Sequence, residues 1–367
     1  MNKPKLLCIL HRSPPSHGAA KVGDFIAHSK TLQETFDCRF ITIRSSDTIG
    51  DIGKVNFKKI YFVIELYFKV LFSLMMFRPD KIYFTASIRS VAFYRDLLLS
   101  TLWKTYKAFT SVDIFYHYHT KGIDEFVSSS NKNLSLTRFF LKDIYLILLS
   151  PLLKDDFIKV KTFKDILYLP NGVEDNADEL ILEKRDYKAT KHILYLSNMI
   201  RSKGYFEVLK LAINTSRDDV HFHFAGGWQS EDDEKEFMDM ILKPKLRDKV
   251  TFHGFISGEE KKALFEESHL FIFPTRYPNE AFPLSVLEAF SFGLPVLSTD
   301  EGSIPYIVDD KSGIVVHDTS ELKQSFDIAL QKLINHETSK YCRNRYIENF
   351  TLEQFEKNLL TILGDNS

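Results

Sequence analysis

Two acids separated by seven residues, Glu280 and Glu288, offer the chemistry around which this chain is best read. They lie in the stretch 271–300, FIFPTRYPNEAFPLSVLEAFSFGLPVLSTD, whose pattern reads as strand, loop, helix, strand. The apolar run 270–273 ends at Pro274, a polar loop follows to Glu280, and a compact helix is expected to open at Pro283 and stop near Gly293. Proline suits a first helical position because its missing N–H would be unpaired there, and glycine followed by Leu-Pro stops a helix. The first amides of such a helix carry about half a positive charge from the aligned peptide dipoles, which suits an anion such as a diphosphate. If Leu284, Leu287 and Phe290 pack inward, Glu288 faces past the helix mouth, three residues after Ser285 on the same face. A carboxylate there can accept two hydrogen bonds from a ribose diol.

Other side chains could share that work. Lys203, before Gly204 at the opening of a helix, can neutralise a diphosphate as a point charge, and Arg276 is a further cation in the loop before Glu280. Gly226 and Gly227 end an apolar run in HFAGG and would admit a nucleotide closely. In the first half, HYHTKG at 117–122 follows a strand end, where loops of parallel sheets meet ligands. His117 and His119 have no evident third partner for a metal, and none is expected at the site.

These residues need rigid strands behind them, and the chain supplies two sets. At 367 residues it exceeds what one hydrophobic core supports, so two domains are expected. Hydrophobic residues at 44% and charged residues at 26% describe a globular chain, not a disordered one. Apolar runs alternate with helical patterns from LLCIL through a helix over 19–34, a strand over 38–43, a long helix over 57–77, KIYFTA, a helix over 90–108 and VDIFYHYH. Apolar runs at 139–149 and 166–169 follow. The acidic segment 173–191 reads as a linker, after which HILYLS, VHFHFAG, VTFHGF, LFIFP, PVLST and GIVV recur between helices. Such alternation argues for parallel βαβ units, hence α/β architecture with two doubly wound sheets. The expected division is 1–180, 181–345 and a closing helix at 346–367 that returns to the first domain.

Residues 1–170 hold 25 Lys and Arg against 15 Asp and Glu, whereas the remainder holds 23 against 34. A first half at +10 fits an anionic partner such as a membrane surface, and the lysine-rich aromatic helices at 54–78 and 93–108 would face it. Three cysteines far apart suggest neither zinc nor disulfides, no leader is evident, and the expected location is cytoplasmic, peripheral on the inner face of the membrane.

The acids, together with EAFPLSVLEAFSFGLPVLSTDEGSIPYIV, PNGVE at 170–174 and SKG at 202–204, resemble the E-x7-E signature of retaining glycosyltransferases of family 4. The resemblance covers most of the second half, and the first half matches by the order of its elements and by short motifs. It implies the GT-B fold, two Rossmann-like domains facing across a cleft, the first binding acceptor and the second a nucleotide sugar. It assigns Glu288 to the ribose, Glu280 to the donor sugar, and Ala281, Phe282, Pro283, Leu284 and Ser285 to the sugar and diphosphate. His119 takes the place of the histidine near the reacting carbon, with His117 as the fallback, and Gly18 belongs to the first loop, PPSHGAAKVGDF. Asn198 stands where the family usually has an arginine, which removes one cation; Arg201 lies close enough in sequence to compensate. The implied reaction is metal-independent hexosyl transfer with retention, without a cofactor, from UDP-hexose or else GDP-mannose. The expected acceptor is a lipid-linked or lipopolysaccharide glycan. The rivals are a sugar-nucleotide epimerase of the same fold and a non-catalytic nucleotide-binding protein. A dinucleotide oxidoreductase is disfavoured because no GxGxxG follows a strand.

Overall fold

The computed structural model of the chain describes residues 3–14, 18–43, 57–178 and 180–364. Part of the expected first loop, 15–17, and the start of the expected helix over 54–78 lie outside the described residues. The chain forms two compact units, Met1–Asn171 with Phe355–Ser367, and Gly172–Gln354.

The first unit is built on β1 (Lys5–His11), β2 (Asp37–Ile43), β3 (Lys81–Thr85), β4 (Asp113–His117), β5 (Tyr145–Leu148) and β6 (Asp165–Tyr168), in the order β2-β1-β3-β4-β5-β6. Every pairing is parallel. Leu6, Leu7, Cys8, Ile9 and Leu10 are all buried, as a central parallel strand covered on both faces requires. The helix expected over 19–34 is two helices, Gly18–His28 and Lys30–Thr35, because Ser29 turns extended and its hydroxyl accepts from the Leu32 N–H. The Ser29 hydroxyl in turn donates to Glu356 on the closing helix, Leu352–Gly364. Phe355, Leu359 and Leu363 of that helix lie in one core cluster with Leu6, Cys8, Leu10, Val22 and Ile26, so the end of the chain completes the first unit.

The second unit carries β7 (Lys191–Leu196), β8 (Val220–Ala225), β9 (Val250–Phe252), β10 (Leu270–Phe273), β11 (Val296–Thr299) and β12 (Gly313–Val316). All pair in parallel in the order β12-β11-β10-β7-β8-β9. The chain therefore leaves β7 toward one edge and resumes at β10 toward the other. The loops leaving these two strands diverge, which opens a crevice at the carboxyl ends of β7 and β10.

The acidic segment expected to be a linker packs onto the second unit instead. Tyr346 donates to Val173 O, Arg343 pairs with Asp175, and the buried Arg185 donates to Phe292 O at 2.9 Å and Gly293 O at 3.4 Å. A guanidinium aimed at the end of a neighbouring helix fixes the segment, because those carbonyls have no partner of their own.

Candidate functional site

The crevice of the second unit collects most of the residues singled out by sequence. After β7 the chain turns through Ser197 and Asn198 into a short 3-10 turn, Arg201–Lys203, and then the helix Tyr205–Asn214. After β10 it runs through Arg276 and Glu280 to the helix Leu284–Ser291. The Arg276 N–H donates to Ser202 O at 2.7 Å, so the two loops are tied across the switch point.

Lys203 and Glu280 meet there, with Nζ 3.2 Å from Oε2 and the two side chains 18% and 11% exposed. The ammonium also lies 5.2 Å from the Tyr277 ring centroid and 5.9 Å from that of Phe273, so aromatic faces hold the lysine stem in place. The Glu280 backbone is fixed by its own N–H to Tyr277 O, and Ser303 N–H reaches Ala281 O from the loop after β11.

Pro283 proves to be the cap of the helix Leu284–Ser291 and not its first residue, with an extended ψ of 116°. The physical reason is the same missing N–H: a cap position also leaves that group unused. Val286 N–H donates to Pro283 O, which leaves the Leu284 and Ser285 amides as the helix mouth. Ala281, Phe282 and Pro283 are buried, and so are Leu287 and Phe290, whereas Leu284 and Ser285 keep part of their surface. The expectation that Leu284 packs inward is corrected: it sits in the first turn, beside the opening and not under it. Glu288 pairs with Lys261 at 2.7 Å, both side chains about one fifth exposed, 19% and 22%. Lys261 comes from the helix Gly258–Glu267 and gave no signal in the sequence.

Gly226 is where backbone approach is tightest. Its φ is +152°, and a Cβ there would fall 1.8 Å from Ser197 O and 3.4 Å from Asn198 N, so no other residue fits between the turns after β7 and β8. At Gly227 a Cβ would find its nearest neighbour 3.9 Å away; there the carbonyl matters instead, accepting from Met199 N–H at 2.9 Å.

The two further cations singled out by sequence are both engaged in ion pairs. Arg201, expected to compensate for Asn198, is held by Asp233 at 2.9 Å and Glu236 at 2.5 Å. Arg276 is held by Asp300 at 2.6 Å and donates to His317 O as well. Asn198 itself is exposed.

In the first unit, β4 ends at His117, whose ring is fully buried and hydrogen-bonded to the Tyr83 hydroxyl. Burial, then the neighbouring His119 ring, pushes the His117 pKa well below its ordinary value and keeps it neutral. His119 follows with its ring centroid 4.0 Å away and is half-buried, so of the pair it is the one with surface to offer. Asp156 accepts from the Gly122, Ile123 and Asp124 amides at 2.7, 3.0 and 2.8 Å. That carboxylate pins the far end of the His119 loop, a role invisible in the sequence because 34 positions separate Gly122 from its partner. Gly18, expected in an open first loop, is the first residue of the helix Gly18–His28. Gly23 is the position in this helix where a Cβ would meet backbone, 1.9 Å from His11 O.

Residues 177–350, nearly all of the second unit, match the family model of the glycosyl transferases group 1. Mannosylfructose-phosphate synthase of Agrobacterium fabrum is 24% identical over 188 residues, 47% of this chain and 41% of the relative. O-antigen chain mannosyltransferase B of Escherichia coli is 24% identical over 203 residues, 54% of this chain and 50% of the relative. The chain thus spans about half or less of these curated relatives. Over the whole chain the structure is similar to Anabaena HepE solved in complex with UDP, with a TM-score of 0.71 at 16% identity, covering 98% of this chain and 100% of the other. The two six-stranded parallel sheets are those of the GT-B glycosyltransferases.

Proposed function

We propose that the protein is a retaining glycosyltransferase of family 4 that moves a hexose from a nucleoside-diphosphate sugar to a lipid-linked or lipopolysaccharide glycan. The observation that carries this reading is the joining of Lys203, Glu280 and the open mouth of the helix Leu284–Ser291 in the crevice of a sheet whose sequence matches group 1 glycosyl transferases. In this reading the Leu284 and Ser285 amides and the Lys203 ammonium take up the charge that grows on the diphosphate as the sugar leaves. They are fixed before the reaction, so little reorganisation opposes it, and no metal is needed at the diphosphate. Glu280 orients the donor sugar, Glu288 accepts from the ribose hydroxyls, and His119 of the first unit serves the sugar near its reacting carbon. Gly226 and Gly227 let the nucleotide approach backbone.

UDP-hexose is the first donor to test, since the relative in Anabaena was solved with UDP, and GDP-mannose is next, since the relative in Escherichia coli is named a mannosyltransferase. A lipid-linked acceptor is favoured by one surface feature. Tyr61, Phe68, Phe72, Met75 and Met76 on the helix Phe57–Met76 are each 60% or more exposed, and Val91, Tyr94 and Leu98 extend the apolar surface onto the helix Ser90–Lys107. Among the described residues no helix is long and apolar enough to cross a membrane. We read the face as a peripheral contact with the anionic inner leaflet of the cytoplasmic membrane.

The test is to screen nucleotide sugars by thermal shift, then to follow the best donor with lipid-linked acceptors and assign the anomeric configuration of the product by NMR. Transfer with the donor configuration kept, undiminished by EDTA, is expected. An inverted product would overturn the retaining assignment, and epimerised or hydrolysed donor without transfer would favour the rival epimerase.

A further inference from the structure

The second sheet carries a group of histidines that the donor crevice does not use. β7 supplies His192, β8 supplies His221 and His223, His253 follows β9 and His269 precedes β10. Alternation along a strand puts His221 and His223 on one face, and His192 lies opposite His221 in the ladder, so the rings share that face. They form a chain of contacts: His192 Nδ1 lies 2.7 Å from His223 Nε2, and His223 Nδ1 lies 3.0 Å from His253 Nε2. The helix Gly258–Glu267 ends beside them, with Glu267 Oε1 3.6 Å from His192 Nδ1.

We propose that His192, His223 and Glu267 bind a divalent cation of the zinc class, with solvent completing the coordination. Two imidazoles and a carboxylate are a donor set that zinc takes, and one ligand atom from each lies within 4.8 Å of the others. With metal–ligand bonds near 2.0–2.1 Å, tetrahedral donors stand about 3.3 Å apart. The His192–Glu267 distance already approaches this, and the His192–His223 contact needs to widen by roughly half an ångström, a small ring rotation in which the ion replaces the shared proton. His223 is buried and His192 partly so, while the Glu267 side chain is 56% exposed, which leaves a way in and a place for water. His253 sits where an orienting partner belongs: with His223 Nε2 on the metal, its Nδ1–H donates to His253 Nε2 and fixes the tautomer. The ion would tie β7, β8 and the helix Gly258–Glu267 together. Its place, near the amino-terminal end of β7, is distinct from the crevice at the carboxyl ends.

The experiment uses the full chain, without a histidine tag and stripped with EDTA. Zinc is titrated by calorimetry against a competing chelator, cobalt is added to read ligand-field bands, and UDP binding is measured in parallel. One equivalent of zinc, a raised melting temperature and the visible bands of four-coordinate cobalt are expected. Glu267→Gln and His192→Gln, both at positions with solvent exposure, should each weaken zinc binding tenfold or more while UDP affinity stays unchanged. Stoichiometric zinc binding that both variants leave intact places the ion elsewhere, and the lack of saturable binding by the unaltered chain removes the site; either result overturns the proposal.

Discussion

Neutralising Glu280 should tighten the binding of a bare nucleoside diphosphate while impairing use of the nucleotide sugar. In the crevice the Lys203 ammonium is engaged by Glu280 at 3.2 Å, with both side chains less than one fifth exposed. Coulomb's law at an effective dielectric constant of 20 gives a gross attraction on the order of 5 kcal/mol at that distance, most of it offset by the desolvation of both charges. A diphosphate must share Lys203 with this carboxylate and also sits near its negative charge. Glu280→Gln removes the competition and keeps the shape, and about 1.4 kcal/mol of relief, a tenfold lower Kd for UDP or GDP, is the expected size. Lys203→Ala removes a charge-assisted bond of about 1.5–3 kcal/mol and should weaken the same ligand by one to two orders of magnitude. The glutamine variant should lose most of its transfer activity, because Glu280 is assigned to the sugar. Calorimetry with the diphosphate alone and with the matching nucleotide sugar separates the two effects. If Glu280→Gln weakens diphosphate binding as Lys203→Ala does, the carboxylate is positioning the lysine for the ligand and not competing for it, and the reasoning fails.

Gly226→Ala should cost more than about 3 kcal/mol of stability in urea unfolding, because its Cβ would overlap Ser197 O, whereas Gly227→Ala should stay within about 1 kcal/mol; equal effects would contradict the close-approach argument. Phe68→Ser with Phe72→Ser should weaken sedimentation with anionic vesicles by about 1 kcal/mol per ring, and moderate salt should remove the electrostatic share; a variant that binds as the parent does would discard this face as the contact. His117 should make the first unit acid-sensitive. Its folded pKa lies well below the 6.5 of an unfolded histidine, so below pH 6.5 the unfolded chain takes up a proton that the folded chain refuses. Stability then falls by up to about 1.4 kcal/mol per pH unit as pH drops, and His117→Gln should flatten that slope in urea titrations at several pH values; an unchanged slope would assign the acid sensitivity to other groups.

The strands were legible because parallel sheets covered on both faces require continuous apolar runs, and LLCIL, HILYL and LFIF are such runs. The site helix was legible from Pro283 and Gly293, with the expected start one residue early, since proline satisfies a cap and a first turn equally well. What escaped depends on contacts between distant positions. The break at Ser29 rests on Glu356 as well as on the local serine cap, and that second partner lies 327 residues away. Arg185 looked like one charge in an acidic linker, yet it is buried against the end of the site helix. The partners of Arg201 lie 32 and 35 positions off and that of Arg276 lies 24 off, so the sequence showed two free cations where the structure has both engaged by carboxylates. The histidine group was hidden for the same reason, since only strand register brings His192 to His223.

The engaged arginines also bear on Asn198. The carboxyl end of the helix Leu284–Ser291 is held by cations: Arg185 donates to Phe292 O and Gly293 O, and Arg343 donates to Ser291 O at 2.7 Å, so two guanidiniums lie there. Cations there complement the peptide dipoles, and none of that positive charge is at the mouth. An anion at the mouth therefore meets two amides and Lys203, with no arginine at 198 and with Arg201 held by Asp233 and Glu236. Asn198→Arg would place a second cation beside Gly226, on the turn that leaves β7. If the amides and one lysine carry the diphosphate, this substitution should tighten diphosphate binding about tenfold at low salt, and by less as salt rises. An unaltered Kd at low salt would mean that the loop after β7 does not face the diphosphate, and the placement of the nucleotide in this crevice would have to be abandoned.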